Sequence, residues 1–405
     1  MKTPMLSVAE ARARVIAPAQ ARAVRIESLP LELACGRTLA ADLAALRTQP
    51  PCAVSAMDGY AARAADLAAP GVRLKLVGES AAGHGFAGAV GPGETARIFT
   101  GAPVPHGADT ILIQEDAAIE DGFVVPRVAV PANKHIRAAG VDFAAGEVLL
   151  GAGRRLGASE LALAAAMNHA MLPVARKPLV AILATGDELV QPGAACGPDQ
   201  IVASNAYAVA AQVEAAGGLA LDLGIAGDNH AALAEAIREA RRAEADVLVT
   251  LGGASVGDHD LVKSALAAEG MELGFWRIAM RPGKPLIHGR IGGMSILGLP
   301  GNPVSSIVCG LIYLQPLVRA LCGDPRAGEM RLESAVLGRD MPANDMREDY
   351  LRATLAPGDG LPVATPFDSQ DSSLLSVMAA ADCLLIRPPH APAAQKGEKC
   401  AVLRL

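Results

Sequence analysis

Between Pro178 and Arg326, short apolar runs alternate with helical patterns, and this alternation constrains the fold more than any other feature of the chain. Repeated units of a strand followed by a helix require parallel strands joined by right-handed crossovers. The sequence therefore predicts a doubly wound α/β domain. Its strands are predicted at 179–184, 219–225, 246–251 and 295–299, and its helices at 204–217, 230–243, 261–270 and 303–321.

The loop after the third predicted strand has the composition of a ligand loop. Gly252, Gly253 and Gly257 have no Cβ to keep a bound group from the backbone, and amides at the start of the next helix can face an anion. Asp258 and Asp260 would repel a bare phosphate, but they suit a site in which Mg²⁺ lies between carboxylate and phosphate oxygens. The alternative is a glycine turn in which one of the two aspartates caps the helix.

Acidic side chains follow three of the four predicted strands. Because ligands of open α/β sheets bind beyond the carboxyl ends of the strands, we expect these side chains to converge on one cleft. A single aspartate after a strand is more often a helix cap than a ligand, but five acids at successive strand ends favour a binding site. They are Asp187, Glu188, Asp228, Asp258 and Asp260.

A compact basic turn, Arg281-Pro-Gly-Lys-Pro285, follows the acids in the sequence, with Arg277 shortly before it. Its proline fixes φ and its glycine allows a close backbone approach, so the turn could clamp a phosphate or another oxyanion. Judged alone, a solvated hairpin tip is an equally good interpretation. Cations and carboxylates in one cleft would describe a magnesium nucleotide or diphosphate site.

The rest of the chain divides into further regions by composition. Residues 1–47 have helical spacing, which returns within 139–177, so these two segments are predicted to form one elongated helical domain. Residues 48–138 are rich in Gly and Pro and carry short β-type runs, which predicts a small inserted β domain. The α/β domain is assigned to 178–328. Short β-type runs at 329–405 predict a C-terminal β barrel, with a sandwich as the alternative.

The charge and cysteine content limit the classes of partner. A net charge of −6 argues against a nucleic-acid surface, which needs a basic stripe, and against a polybasic membrane anchor. No apolar run approaches the roughly 18 residues that would span a membrane. The seven cysteines are odd in number and include no Cys-x-x-Cys pair, so we expect reduced thiols and a cytoplasmic protein.

Eight short motifs are spread in order over the whole chain. They are Ser55-Ala-Met-Asp-Gly-Tyr-Ala61, Thr100-Gly-Ala-Pro-Val-Pro105, Ala139-Gly-Val-Asp142, Thr185-Gly-Asp-Glu-Leu189, Ser204-Asn205, Gly252-Gly-Ala-Ser-Val-Gly257, Arg281-Pro-Gly-Lys-Pro285 and Leu299-Pro-Gly-Asn-Pro-Val-Ser305. The set resembles the molybdopterin molybdenumtransferases, the MoeA and gephyrin E-domain family. The resemblance implies a central MogA-like α/β domain and an elongated homodimer whose active cleft is completed by the partner subunit.

The resemblance also implies a reaction and its partners. The family takes adenylylated molybdopterin and molybdate, inserts the metal into the dithiolene and releases AMP in a Mg²⁺-dependent step. Contacts with other cofactor-biosynthesis enzymes are expected as well.

The resemblance assigns roles to residues in every region. The catalytic residues would be Asp58, Thr100, Asp142, Glu188, Asp228 and Asp260, and among them Glu188, Asp228 and Asp260 would hold the metal. The substrate would contact Gly252, Gly253, Ser255, Gly257, Asp258, Arg277, Arg281, Lys284, Pro300, Pro303, Arg347, Arg352 and Ser372. Arg277 and Arg281 stand where the family often has lysine, which keeps the charge but changes its geometry.

Two other functions compete with this one. An adenylyltransferase or a nucleotide-pyrophosphate hydrolase could use the same α/β domain, but it would not need the region at 55–60. A scaffold for protein partners could keep the fold, as the gephyrin comparison allows, but it could lose its acids. The acids predicted as catalytic are all present in the sequence, which favours an enzyme.

Overall fold

A computed structural model of the chain describes residues 5–253 and 261–405, and its largest sheet lies in the predicted α/β domain. The first four strands of this sheet are mutually parallel, as predicted. Two further strands, at its far edge, are antiparallel to their neighbours and were not predicted. In order across the sheet, the strands are Leu219–Ala226, Leu179–Thr185, Val247–Leu251, Met294–Leu299, Pro285–Ile291 and Glu272–Arg277.

The helices of this domain lie close to their predicted positions, at Asn205–Ala215, His230–Arg242, Leu261–Ala268 and Pro303–Leu321. The last is interrupted by a π-helical turn at Gly310–Leu314. Beside that turn, Gln212 Nε2 donates to the carbonyl of Ile307 over 2.9 Å. Contrary to the expectation from the sequence, Pro303–Leu321 is long and apolar enough to cross a membrane, but 72% of its most apolar stretch is buried inside the fold, which is typical of a core helix.

The N-terminal helix, Val8–Gln20, packs into the core of the α/β domain and not with residues 139–177 as predicted. Ser7 and Glu10 form a capping box at its start. Pro18 has no N–H for the carbonyl of Arg14 four residues earlier, and that carbonyl faces the buried His288 of the large sheet. Just before the helix, Leu6 exchanges backbone hydrogen bonds with Arg277 and Ala279, which holds the start of the helix beside the large sheet.

The prediction of helix through residue 47 is wrong beyond Gln20. Ile26–Pro30 is a strand that pairs antiparallel with Met171–Ala175, and this long-range pairing overrides the local helical spacing. The helix Ala158–Ala166 packs against the apolar core of this domain, to which Leu172 and Val174 of the second strand also belong. The remaining elements of this mixed domain are the 3₁₀ turn Leu31–Leu33 and the short strands Leu43–Ala44 and Val148–Leu150.

Between these two segments lies a six-stranded sheet with a small apolar core on each face. In order, its strands are Thr110–Ile113, Gly59–Ala62, Glu94–Ile98, Leu74–Ser80, Phe123–Pro126 and Ala117–Glu120. Val54–Ser55 pairs separately with Ile136–Arg137, and 3₁₀ turns occupy Ala64–Leu67 and Gln114–Asp116.

The C-terminal strands close into a five-stranded barrel, which confirms the predicted barrel. Closure follows because Glu348–Ala356 pairs both with Val363–Pro366 and with Cys383–Arg387. The other two strands are Leu332–Leu337 and Lys399–Arg404, and a short helix spans Leu375–Ala379. Met280–Arg281 of the α/β domain adds to the barrel in parallel with Glu348 and Asp349.

Candidate functional site

A cavity of about 770 Å³ lies at the carboxyl ends of the parallel strands, and we call it the acidic cavity. This is the place where an open α/β sheet binds ligands. Each parallel strand of the sheet sends a loop to it. The lining includes Gly186, Glu188, Asp228, Gly252, Gly253 and the loop Pro300–Pro303, together with Ser373 of the C-terminal domain.

The floor of the acidic cavity is bare backbone at Gly252 and Gly253. Both residues have positive φ, 97° and 66°, which favours glycine. A Cβ at Gly252 would lie 2.8 Å from the carbonyl oxygen of Thr185, so a larger residue would collide with the neighbouring strand end. The backbone conformation and the neighbouring strand end therefore require glycine here, and both glycines line the cavity without a side chain.

The structure brings Glu188 and Asp228 to the acidic cavity. The N–H of Asp228 donates to Asp187 Oδ1 over 3.0 Å, so Asp187 supports the adjacent loop and does not line the cavity. The other predicted loop residues, Ser255, Gly257, Asp258 and Asp260, lie outside the described residues. Within 5–253 and 261–405, no group of three His, Cys, Asp or Glu side chains is arranged to hold a metal ion.

The C-terminal domain reaches this cavity through the loop that contains Ser372. Asn302 Nδ2 donates to Ser372 Oγ over 2.8 Å, and the N–H of Val304 donates to the Ser372 carbonyl over 3.1 Å. On the other side, Asn205 Nδ2 donates to the carbonyl of Gly301 over 2.8 Å. The loop carrying Pro300 and Pro303 is thus held between two domains.

The expected meeting of the basic turn with the acids is not present, because Arg281 turns towards the barrel. Its Nε donates to Asp349 Oδ1 over 2.8 Å, Nη2 also pairs with this carboxylate, and the pair raises the pKa of Arg281. Asp349 is buried and is the second residue of a barrel strand, so its side chain has a fixed position beside the turn. Arg281 lines a second cavity of about 400 Å³, the arginine cavity, with Arg339, Arg352 and Arg387.

The other two predicted cations also do not line the acidic cavity. The guanidinium carbon of Arg277 lies 3.9 Å from the ring centroid of Trp276. Lys284 is exposed, and its carbonyl accepts from the N–H of Ile278 over 3.1 Å. Only Pro285 of the basic turn reaches the acidic cavity, and no lysine or arginine lines it in the part of the chain that the structure describes.

The two candidate arginines of the last domain differ in environment. Arg352 is fully buried, its Nη2 donates to the carbonyl of Asp371 over 3.0 Å, and burial lowers its pKa. Arg347 Nη2 pairs with Asp345 Oδ2 at 2.8 Å, and this partner lowers the pKa of Asp345 to about 2. Arg352 therefore anchors the loop that presents Ser372, while Arg347 makes a local ion pair.

In the inserted domain, Asp58 and Thr100 form a close pair. Asp58 Oδ1 accepts from the Thr100 N–H over 2.7 Å and from its hydroxyl over 2.8 Å, and these bonds lower the pKa of Asp58. Asp142 is exposed, and its N–H donates to the carbonyl of Gln49 over 3.1 Å. Of the described residues, none between 48 and 142 lines the acidic cavity.

Several residues that shape the acidic cavity were not predicted. Asn205 and Asn302 stand inside two of the quoted motifs, so the motifs could have identified them. Ile201 and Val202 form the exposed apolar rim of the cavity, and no local pattern distinguishes them from other short apolar runs.

Comparisons with known proteins cover the whole fold. Three family models match: "MoeA N-terminal region (domain I and II)" at residues 6–168, "Probable molybdopterin binding domain" at 181–320 and "MoeA C-terminal region (domain IV)" at 334–405. A molybdopterin molybdenumtransferase from Nostoc sp. is 36% identical over 94% of this chain and 88% of its own. One from Haemophilus influenzae is 33% identical over 91% and 93%. The crystal structure of a molybdopterin biosynthesis MoeA protein from a Pyrococcus species superposes with a TM-score of 0.83, at 30% identity and 99% coverage of both chains.

Proposed function

The chain belongs to the molybdopterin molybdenumtransferase (MoeA) family, and from that premise we propose that it inserts molybdenum from molybdate into adenylylated molybdopterin and releases AMP. It is a transferase of molybdenum cofactor biosynthesis. The observation that carries the finer proposal is the acidic cavity, which combines two carboxylates with bare glycine backbone at the carboxyl ends of the parallel strands.

The acidic cavity suits the diphosphate part of such a substrate. Gly252 and Gly253 line the cavity without side chains, so phosphate oxygens could come close to the main chain there, although the Gly252 N–H is already bonded to the Leu299 carbonyl over 3.3 Å. Pro300 and Pro303 line the cavity next to Gly252, and Ser372 is held beside their loop by Asn302. The cavity volume of about 770 Å³ lies within the range of small-molecule sites.

Mg²⁺ fits the donor set of the acidic cavity. Glu188 and Asp228 supply hard carboxylate oxygens, and Mg²⁺ is commonly held by one or two carboxylates together with substrate phosphates. Asp260, outside the described residues, stays a predicted third ligand. A bound Mg²⁺ would neutralise negative charge on the phosphoanhydride as it is cleaved. The carboxylates would hold the reacting phosphates in one orientation.

We further propose a homodimer in which a second copy completes the acidic cavity. Asp58, Thr100 and Asp142 would come from the inserted domain and its flank in the second copy, and the exposed rim of Ile201 and Val202 offers an apolar contact there. Arg277, Arg281, Lys284 and Arg347 remain proposed contacts for anionic groups. Cys35, Cys52 and Cys196 are exposed free thiols, in line with a cytoplasmic location.

AMP release from the purified protein tests the proposal directly. We would supply adenylylated molybdopterin and molybdate with Mg²⁺, and repeat the assay with the metal removed by a chelator. AMP release that needs both molybdate and Mg²⁺ would support the reaction. No release under any condition would favour a scaffold, and activity only with added ATP would favour an adenylyltransferase.

A further inference from the structure

We propose that Arg97 is a positioning residue for this reaction, which fixes the strand ends that carry Asp58 and Thr100. The inference rests on the proposed function, in which Asp58 and Thr100 face the substrate. Arg97 itself lies on Glu94–Ile98, one strand away from Asp58, and is half-buried.

Three neighbouring strand ends meet around Asp58. Asp58 immediately precedes the strand Gly59–Ala62, Thr100 follows the adjacent strand that carries Arg97, and Gln114 follows the strand on the other side. The N–H of Gln114 donates to the carbonyl of Asp58 over 3.1 Å, while Thr100 donates to its carboxylate. The orientation of Asp58 therefore depends on the relative placement of all three ends.

Arg97 connects the same three strand ends through its guanidinium group. Nη1 donates to the carbonyl of Gly59 over 3.2 Å, and Nη2 donates to Gln114 Oε1 over 2.9 Å. The guanidinium carbon lies 4.9 Å from the ring centroid of Tyr60 and 5.0 Å from that of Phe99. A planar guanidinium can donate hydrogen bonds from two separate nitrogens while it also lies against two aromatic rings, which a lysine ammonium cannot do.

The charge of Arg97 acts on the same carboxylate. Both hydrogen bonds from Thr100 fall on Asp58 Oδ1, which leaves Oδ2 without a hydrogen bond among the described residues. The positive charge of Arg97 adds to these bonds in lowering the pKa of Asp58. Arg97 thus helps to keep Asp58 both ionised and fixed in direction, with one oxygen available to a ligand.

The test compares Arg97→Gln and Arg97→Lys with a matched control, Arg73→Gln. Arg73 lies beside the same sheet, with its guanidinium carbon 4.7 Å from the Phe123 ring and Nη2 donating to Asp121 Oδ2 over 3.2 Å, but it does not touch the Asp58 loop. We expect Arg97→Gln to lower kcat by about one to two orders of magnitude through misplacement of Asp58, with the KM for molybdate changed less than twofold. Arg97→Lys should retain an intermediate kcat, and Arg73→Gln should resemble the unmodified protein.

A second readout needs no substrate. The pKa of Asp58, followed through the NMR shift of its carboxyl carbon, should rise in Arg97→Gln and stay unchanged in Arg73→Gln. Equal kcat and equal Asp58 pKa in the two glutamine variants would overturn the inference. If Arg97→Gln does not fold, the test rests on Arg97→Lys. A kcat and an Asp58 pKa in Arg97→Lys equal to those of the unmodified protein would then reject the positioning role. An inactive unmodified protein would instead reject the proposed reaction, while the Asp58 titration would still test Arg97.

Discussion

The substitution Gly310→Ala should lower the free energy of unfolding when Gln212 is present and raise it when residue 212 is alanine. Gly310 has helical dihedrals, φ −60° and ψ −45°, so alanine alone would favour the helix by about 1 kcal/mol. However, a Cβ there would overlap Gln212 Oε1 and lie 2.9 Å from Gln212 Cδ. Gln212 is buried and cannot retreat without giving up its bond to Ile307.

The magnitudes decide which effect is larger. Leaving the buried Gln212 Nε2 without its acceptor costs about 1 to 3 kcal/mol, and overpacking costs a similar amount. These penalties together exceed the gain in helix propensity, so we expect Gly310→Ala to lower the free energy of unfolding by about 1 to 5 kcal/mol. In a Gln212→Ala background the obstruction is gone, and the same substitution should raise it by about 1 kcal/mol.

The single tryptophan makes the stability of the α/β domain measurable in a protein of several domains. Trp276 lies on the edge strand of the large sheet, so its fluorescence reports unfolding of the α/β domain. Guanidinium titrations of the four proteins complete a double-mutant cycle. An effect of Gly310→Ala with the same sign in both backgrounds would refute the proposed steric conflict with Gln212.

Three further outcomes follow from the site and its surroundings. Burial lowers the pKa of His288, so the unfolded chain takes up a proton at this residue before the folded chain does as the pH falls below about 6.5. The free energy of unfolding should therefore decrease between pH 7 and pH 5, as measured by denaturant titration, and should decrease less in His288→Gln. Mixed dimers of Asp58→Asn and Asp228→Asn chains should recover about a quarter of the unmodified AMP release. Half of such dimers contain one chain of each kind, and one of their two composite sites then has both aspartates. No recovery would indicate that each site takes both residues from one subunit. Glu188→Gln should raise the Mg²⁺ concentration needed for half-maximal AMP release by about tenfold or more, whereas Asp222→Asn, a substitution outside the acidic cavity, should leave it unchanged.

The parallel part of the large sheet could be predicted because its strands are buried on both faces and read as continuous apolar runs. Val180, Ile182 and Leu248 belong to such runs and are fully buried. The antiparallel pair was missed, although Gly292-Gly293 between two apolar runs is a hairpin signal. The extended segment Ile26–Pro30 could not be predicted, because its partner Met171–Ala175 is more than 140 residues away.

Within the site, sequence reasoning located the acids more successfully than the cations. Glu188 and Asp228 reach the acidic cavity because they follow parallel strands, and the topology brings such residues to this end of the sheet. The position of Arg281 depends on Asp349, 68 residues later, in a domain whose docking no local pattern encodes. A charged side chain on a turn pairs with an opposite charge nearby, and here that charge lies in another domain, so the pairing depends on how the two domains pack.

The charge distribution of the acidic cavity connects the proposed metal with the proposed dimer. Glu188 and Asp228 line it, and no cation among the described lining residues offsets them. At an effective dielectric constant of 20, one carboxylate 4 Å from a phosphate charge is repelled by about 4 kcal/mol. An anionic substrate therefore needs positive charge from another source. A bound Mg²⁺, held by the two carboxylates, would supply part of it, and the dithiolene and molybdate would need cations from elsewhere. Arg281 and Arg352 line a separate cavity, where Arg281 is paired with Asp349 and Arg352 is buried, so basic residues of a second copy would have to meet that need.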